Sequence, residues 1–154
     1  MIKKEIKVHV IGGGGAASPI LNILHNSGYI VSTGVINNLD TDLNTALQLG
    51  ITFVNEAPFS PISKEAYLRN LKLIKTSDFV ILPCVEFGNG NFLNLSAALE
   101  AIHLDKKVIV INTTDINTRD YVEGKAIQFY QEIISGKAVV LNNNDEILNI
   151  LKTN

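Results

Sequence analysis

The stretch that most constrains this chain is Val8-His9-Val10-Ile11 running directly into Gly12-Gly13-Gly14-Gly15-Ala16-Ala17-Ser18-Pro19. A short apolar run rich in β-branched residues reads as a strand, and the glycines that follow read as the turn into a helix. Four successive residues without Cβ allow positive φ and a close approach of backbone to a ligand. A helix that starts just after them points its unpaired N–H groups at the same space. That arrangement suits a phosphate, a carboxylate or a ribose. Gly12, Gly14 and Ala17 match the G-x-G-x-x-G/A spacing of a dinucleotide-type turn, whose third small residue lets helix and strand pack closely. A plain tight turn would use the same glycines, so the run specifies a strand–turn–helix unit before it specifies a function.

The remainder of the chain repeats that unit. Ile6 to Ile11 is the first strand, and Ser18-Pro19 supplies the N-cap and N1 pair of a helix whose buried face is Ile20, Leu21, Ile23 and Leu24 and whose end is Gly28. Tyr29 to Ile36 is the second strand, Leu43 to Leu49 a helix closed by Gly50, and Ile51 to Val54 the third strand. A loop stiffened by Pro58 and Pro61 leads to a helix over Lys64 to Lys75 with Ser63 as its N-cap. Strand four covers Asp78 to Pro83, a helix Asn94 to His103, and strand five Lys107 to Ile111. A helix ending at Ser135, strand six at Ala138 to Leu141 and a last helix at Asp145 to Leu151 complete the series.

Strict βαβα alternation with short connections predicts an α/β fold: a three-layer, Rossmann-like, doubly wound parallel sheet with strand order 3-2-1-4-5-6. At 154 residues one domain spanning the whole chain is expected. Hydrophobic residues make up 46% and charged residues 18%, an apolar balance that leaves surface for a second copy and hints at a homo-oligomer. A net charge of -2 without a basic cluster beyond Lys3-Lys4 argues against nucleic acid. The single cysteine, Cys84, rules out an internal disulfide and fits a reducing compartment. No apolar run is long enough to span a bilayer and Met1-Ile2-Lys3-Lys4 does not open a signal peptide, so a cytoplasmic protein without membrane insertion is expected.

In the expected order, strands one and four are neighbours at the topological switch point, so the loops at Gly12 to Ser18 and Cys84 to Asn91 face one crevice. The candidate ligand-binding residues are therefore Gly12, Gly13, Gly14, Gly15, Ala16 and Ser18 in the first loop and Glu86, Gly88, Asn89 and Gly90 in the second. Asn37, Asp40, Glu56, Thr113 and Arg119 join them from loops expected at the same sheet end. Arg119 is one of two arginines, and its planar fork would suit phosphate or carboxylate, although pairing with Asp115 or Asp120 would use it equally well. Gly14 and Arg119 are expected in one site, because two strand steps of ~4.8 Å bring their loops within about 10 Å. The end of strand two carries Asn37-Asn38 where a dinucleotide fold has an acid for the ribose, which counts against NAD. Asp40 and Asp42 serve either a ligand or helix capping. His9 reads as a core or sheet-end residue, Cys84 as a small buried one and Phe59 as a plug over the sheet end. Asp40, Asp42, Glu56, Glu86 and Asp115, expected at the same sheet end, would suit hydroxyl-rich or cationic groups, or a metal held between ligand and carboxylates. No nucleophile has an adjacent base, and neither a catalytic residue nor a metal ligand is assigned. A G-x-x-x-x-G-K-[ST] loop is missing, which removes support for ATP hydrolysis of the P-loop type.

The glycine turn, Gly34-Val35-Ile36-Asn37 with Asp40 and Asp42, Glu56-Ala57-Pro58-Phe59-Ser60-Pro61-Ile62 and Arg119-Asp120-Tyr121-Val122-Glu123-Gly124-Lys125-Ala126 together resemble a known family. It is the Rossmann-like accessory domain at the C-terminus of some ATP-binding subunits of cobalamin and iron-siderophore ABC importers in archaea and Firmicutes. The resemblance implies that domain standing alone, since the Walker motifs and the LSGGQ-type signature are absent, and it implies transporter components as partners. A second resemblance is to lysine-decarboxylase-like phosphoribohydrolases, which share a glycine turn after strand one and a second glycine loop after strand four. Their P-G-G-x-G-T-x-x-E spacing is not reproduced by Pro83-Cys84-Val85-Glu86-Phe87-Gly88-Asn89-Gly90-Asn91. The expected function is thus a non-hydrolytic domain for a nucleotide or other small ligand, with hydrolysis of a nucleoside monophosphate as the alternative. The sequence leaves the cofactor unassigned.

Overall fold

The computed structural model describes residues 5–11, 17–35, 41–55, 64–83, 92–111 and 135–152. Six strands, β1 (Lys7–Val10), β2 (Ile30–Val35), β3 (Thr52–Asn55), β4 (Phe79–Leu82), β5 (Lys107–Ile111) and β6 (Ala138–Leu141), form one sheet in the order β3-β2-β1-β4-β5-β6. Every neighbouring pair is parallel. The expected strand order is therefore the one observed. Among the described residues the helices are α1 (Ser18–Asn26), α2 (Thr41–Leu49), α3 (Lys64–Thr76), α4 (Phe92–His103) and α5 (Ile147–Lys152), the last preceded by a 3-10 turn at Asn144–Glu146. No helix among them is long and apolar enough to cross a membrane. The helix expected to end at Ser135 falls outside the described residues except for Ser135 itself, which lies in a turn.

The central strands are apolar at consecutive positions because both of their faces are covered. Val8 and Val10 of β1, Phe79 and Ile81 of β4 and Ile109 and Ile111 of β5 pack with Ile20, Leu21 and Leu24 of α1 and with Ile147 and Leu151 of α5. The alternate residues Val80, Leu82, Val108 and Val110, together with Ile11 just past β1, pack with Ile74 of α3 and with Ala97, Ala98, Ala101 and Ile102 of α4. Helices on both faces make three layers. The helix that follows β1 and the helix that follows β4 thus lie on opposite faces, which opens a crevice at the carboxyl ends of these two strands.

The two edges of the sheet are built differently. At the amino edge, helix passes to strand through short turns at 27–29, 50–51, 77–78 and 104–106. Gly28 and Gly50 take positive φ there, +88° and +68°, as helix ends often require. At the carboxyl edge, longer stretches of sequence separate strand from helix: 11–17, 36–40, 56–63 and 83–91. The candidate ligand residues belong to this second set, except Ser18 at the start of α1 and Thr113 and Arg119, which follow β5 in sequence.

Candidate functional site

The exit of β1 is fixed by two bonds. Ile11 N donates to Ile81 O at 2.9 Å, carrying the β1–β4 ladder one residue past the strand, and Thr33 Oγ1 of β2 donates to Val10 O at 2.8 Å. The glycine turn therefore begins from a position held by both neighbouring strands. Ala17 at its far end is fully buried, as close packing of helix against strand demands.

Ser18 is the one candidate ligand residue within the described parts of the chain, and it is committed to a partner. Its N–H donates to Asp42 Oδ1 at 2.9 Å and its hydroxyl to the same oxygen at 2.7 Å. Thr45 Oγ1 donates in turn to Ser18 Oγ at 2.9 Å, so hydroxyls from α2 and α1 relay onto one carboxylate. Asp42 has no solvent exposure. The residue standing as N-cap of α1 is Ala17, without a side-chain cap, while Ser18 is the first helical residue and Pro19 follows it. The expected cap is thus displaced by one position: an aspartate from the first turn of α2 does for α1 what a serine was expected to do. Of the two readings of Asp42, capping is the one observed, although the capped helix is the neighbouring one. Gly12, Gly13, Gly14, Gly15, Ala16, Asn37, Asp40, Glu56, Glu86, Gly88, Asn89, Gly90, Thr113 and Arg119 lie outside the described residues, as do Phe59 and Cys84. The strands that precede them in sequence all end at the carboxyl edge.

A second polar group lies beneath the same edge, on the α3 face of the sheet. His9 pairs with Ser32 across β1 and β2, and its Nδ1 is 2.8 Å from Ser32 Oγ. Both residues are buried, and burial pushes the imidazole from its ordinary 6.5 down to about 4. The Asn70 side chain of α3 pulls in the opposite direction without overcoming it. His9 Nε2 and Asn70 Oδ1 are buried and have no partner at hydrogen-bonding distance among the described residues. Asn70 also overhangs β2, where a Cβ added to Gly34 would come 3.0 Å from its Oδ1. His9 is thus a core residue, as expected, but only one of its nitrogens is satisfied. Ser32 and Asn70 were not legible as its companions. The available signal was Asn70 itself, a polar residue four positions before the buried Ile74 on one helical stripe.

Solved structures share the frame at low identity. BdcA in complex with NADPH superposes with a TM-score of 0.52 at 15% identity, over 85% of this chain and 61% of that one. An imine reductase variant from Myxococcus stipitatus in complex with NAD+ gives 0.54 at 13% identity, over 93% of this chain and 43% of that one. These likenesses concern the Rossmann-like fold. In sequence, the cobalamin import ATP-binding protein BtuD of Halobacterium salinarum is 39% identical over 56 residues, which are 36% of this chain and only 14% of that protein. MJ0874 of Methanocaldococcus jannaschii is 33% identical over 75 residues, 49% of this chain and 81% of its own length. Residues 31–148 match the MJ0874 family, a span from β2 into α5 that takes in most of the sheet. The chain belongs to the MJ0874 family.

Proposed function

We propose that the chain is a binding domain for a nucleotide or other small ligand, held without hydrolysis in the crevice between the carboxyl ends of β1 and β4. The observation that carries this reading is the strand order, which places the switch point where the glycine turn begins. In this reading Gly12 to Ala16 and the Glu86 to Gly90 loop form the two lips, and Arg119 reaches in from the segment after β5. The partial match to the cobalamin importer subunit supports a relationship to an accessory part of such subunits, since the present sequence holds no Walker A loop to share with them. Transporter components would then be its partners.

A thermal-shift screen of nucleotides, corrinoids and flavins tests the reading, because a ligand at ~100-fold saturation adds about 2.7 kcal/mol to a protein's stability. One of these classes is expected to raise the melting temperature. Gly14→Val and Arg119→Ala are each expected to weaken an anionic hit while the melting curve of the unliganded chain stays cooperative. A screen with no shift in any class would overturn the proposal in favour of a domain that acts only through protein contacts. Release of free base from AMP, abolished by Glu86→Gln, would overturn its non-hydrolytic part.

A further inference from the structure

The fold implies a dinucleotide, and the residues at the start of α1 do not fit one. In folds of this class the pyrophosphate rests on the N-terminus of the first helix, held by amides that the helix itself leaves unpaired. Here Ser18 gives its amide and its hydroxyl to Asp42, and Pro19 has no amide to give. Two of the four donors expected at a helix start are thereby removed. The amides of Ala17 and Ile20 are the other two of the four, and that of Leu21 closes the first turn on Ala17 O. Asp42 is buried and shares one oxygen between both Ser18 donors, so a carboxylate stands where the fold would otherwise receive a phosphate. An independent departure agrees: Asn37-Asn38 follows β2 in place of an acid for the ribose hydroxyls.

We infer that Asp42 is a specificity-determining residue, an in-chain substitute for the ligand phosphate that excludes NAD(P)-type dinucleotides from the start of α1. The inference rests on the placement of the ligand crevice proposed above and narrows its occupant. A ligand of this crevice presents an uncharged or cationic group to α1, and a nucleotide would have to carry its phosphate elsewhere.

The test uses the full chain with inorganic pyrophosphate and NAD+ as probes, followed by calorimetry and by the amide spectrum of labelled protein. For the parent chain, neither probe is expected to move the Ser18 amide resonance up to millimolar concentrations. Asp42→Asn keeps an acceptor for Ser18 and removes the charge. It is expected to bind pyrophosphate about tenfold more tightly, the scale of a single charge at a partly buried helix end, and to shift Ser18. Asp42→Ser, equally uncharged, gives a second route should the first variant melt early. Binding by the parent chain with Ser18 among the shifted amides would overturn the inference, and so would either folded variant that gains nothing. If neither variant folds, the parent titration decides alone. Because pyrophosphate is the probe, these outcomes stand apart from the ligand screen, whose failure would remove the crevice reading without touching Asp42.

Discussion

His9 stands in the middle of β1 with no solvent contact, and its protonation is coupled to folding. Burial holds its pKa near 4 against an ordinary 6.5, so the folded chain favours the neutral ring while the unfolded chain binds a proton more readily. The stabilisation is complete above 6.5 and is lost as pH falls from there towards 4. The gap corresponds to about 3 kcal/mol. Urea unfolding at pH 7.5, 6 and 5 is expected to show this decline, and His9→Gln is expected to flatten it over the same window. An unchanged slope in the variant would assign the decline to other groups. Gly34 carries a second prediction at this scale. A methyl there meets Asn70 Oδ1 at 3.0 Å, closer than an ordinary contact, so Gly34→Ala is expected to lose about 1 kcal/mol despite the lower chain entropy that alanine brings. In an Asn70→Ala background the same change is expected to be neutral or stabilising, and a double-mutant cycle measures the difference. None of this could be read along the sequence. Ser32, Gly34 and Asn70 are ordinary residues of a strand and a helix until the register of β2 on β1 and the seating of α3 bring them to His9.

At the scale of elements, the tie between α1 and α2 is the feature most exposed to a single change. Asp42→Ala leaves the Ser18 amide and hydroxyl without their shared acceptor at a part-buried helix start. A loss of about 1–3 kcal/mol is expected, against less for Asp42→Asn, as measured by urea denaturation. Equal losses in the two variants would mean that the charge and not the acceptor position matters. The elements themselves were largely legible, because apolar runs bounded by glycine and helices bounded by caps leave local signatures. Strand five is observed at Lys107–Ile111 and strand six at Ala138–Leu141, as expected, and strand two at Ile30–Val35, with Ile36 outside the described residues. The start of α1 was placed almost correctly for the wrong reason. Ser18-Pro19 has the local pattern of a cap, but the carboxylate that satisfies its amide comes from the next helix, and a pattern confined to neighbouring residues does not contain that contact.

For the whole molecule, the order of the strands followed from alternation and from the place of the glycine turn, since few topologies satisfy right-handed crossovers around such a turn. The candidate site was legible only as a set of loops sharing an edge. Which side chains meet across it depends on contacts between loops, which no periodicity encodes. One prediction belongs to this scale. Tag-free protein is expected to show no Mg-dependent ATP turnover, because the sequence lacks both the lysine that cradles phosphate and the Ser/Thr that holds the metal in a P-loop. Turnover that survives further purification would contradict it.

The contrast between the two sheet edges bears on how such a chain can diverge. At the amino edge, a residue added to a turn such as 27–29 or 50–51 would displace a helix from its strand, and most replacements of Gly28 or Gly50 would strain a left-handed backbone. At the carboxyl edge longer stretches of sequence join strand to helix, and each doubling of a loop's length costs only about 0.6 kcal/mol of closure entropy. Insertions and drift are therefore channelled to one side of the sheet, where recognition can be rewritten while the opposite side keeps the frame.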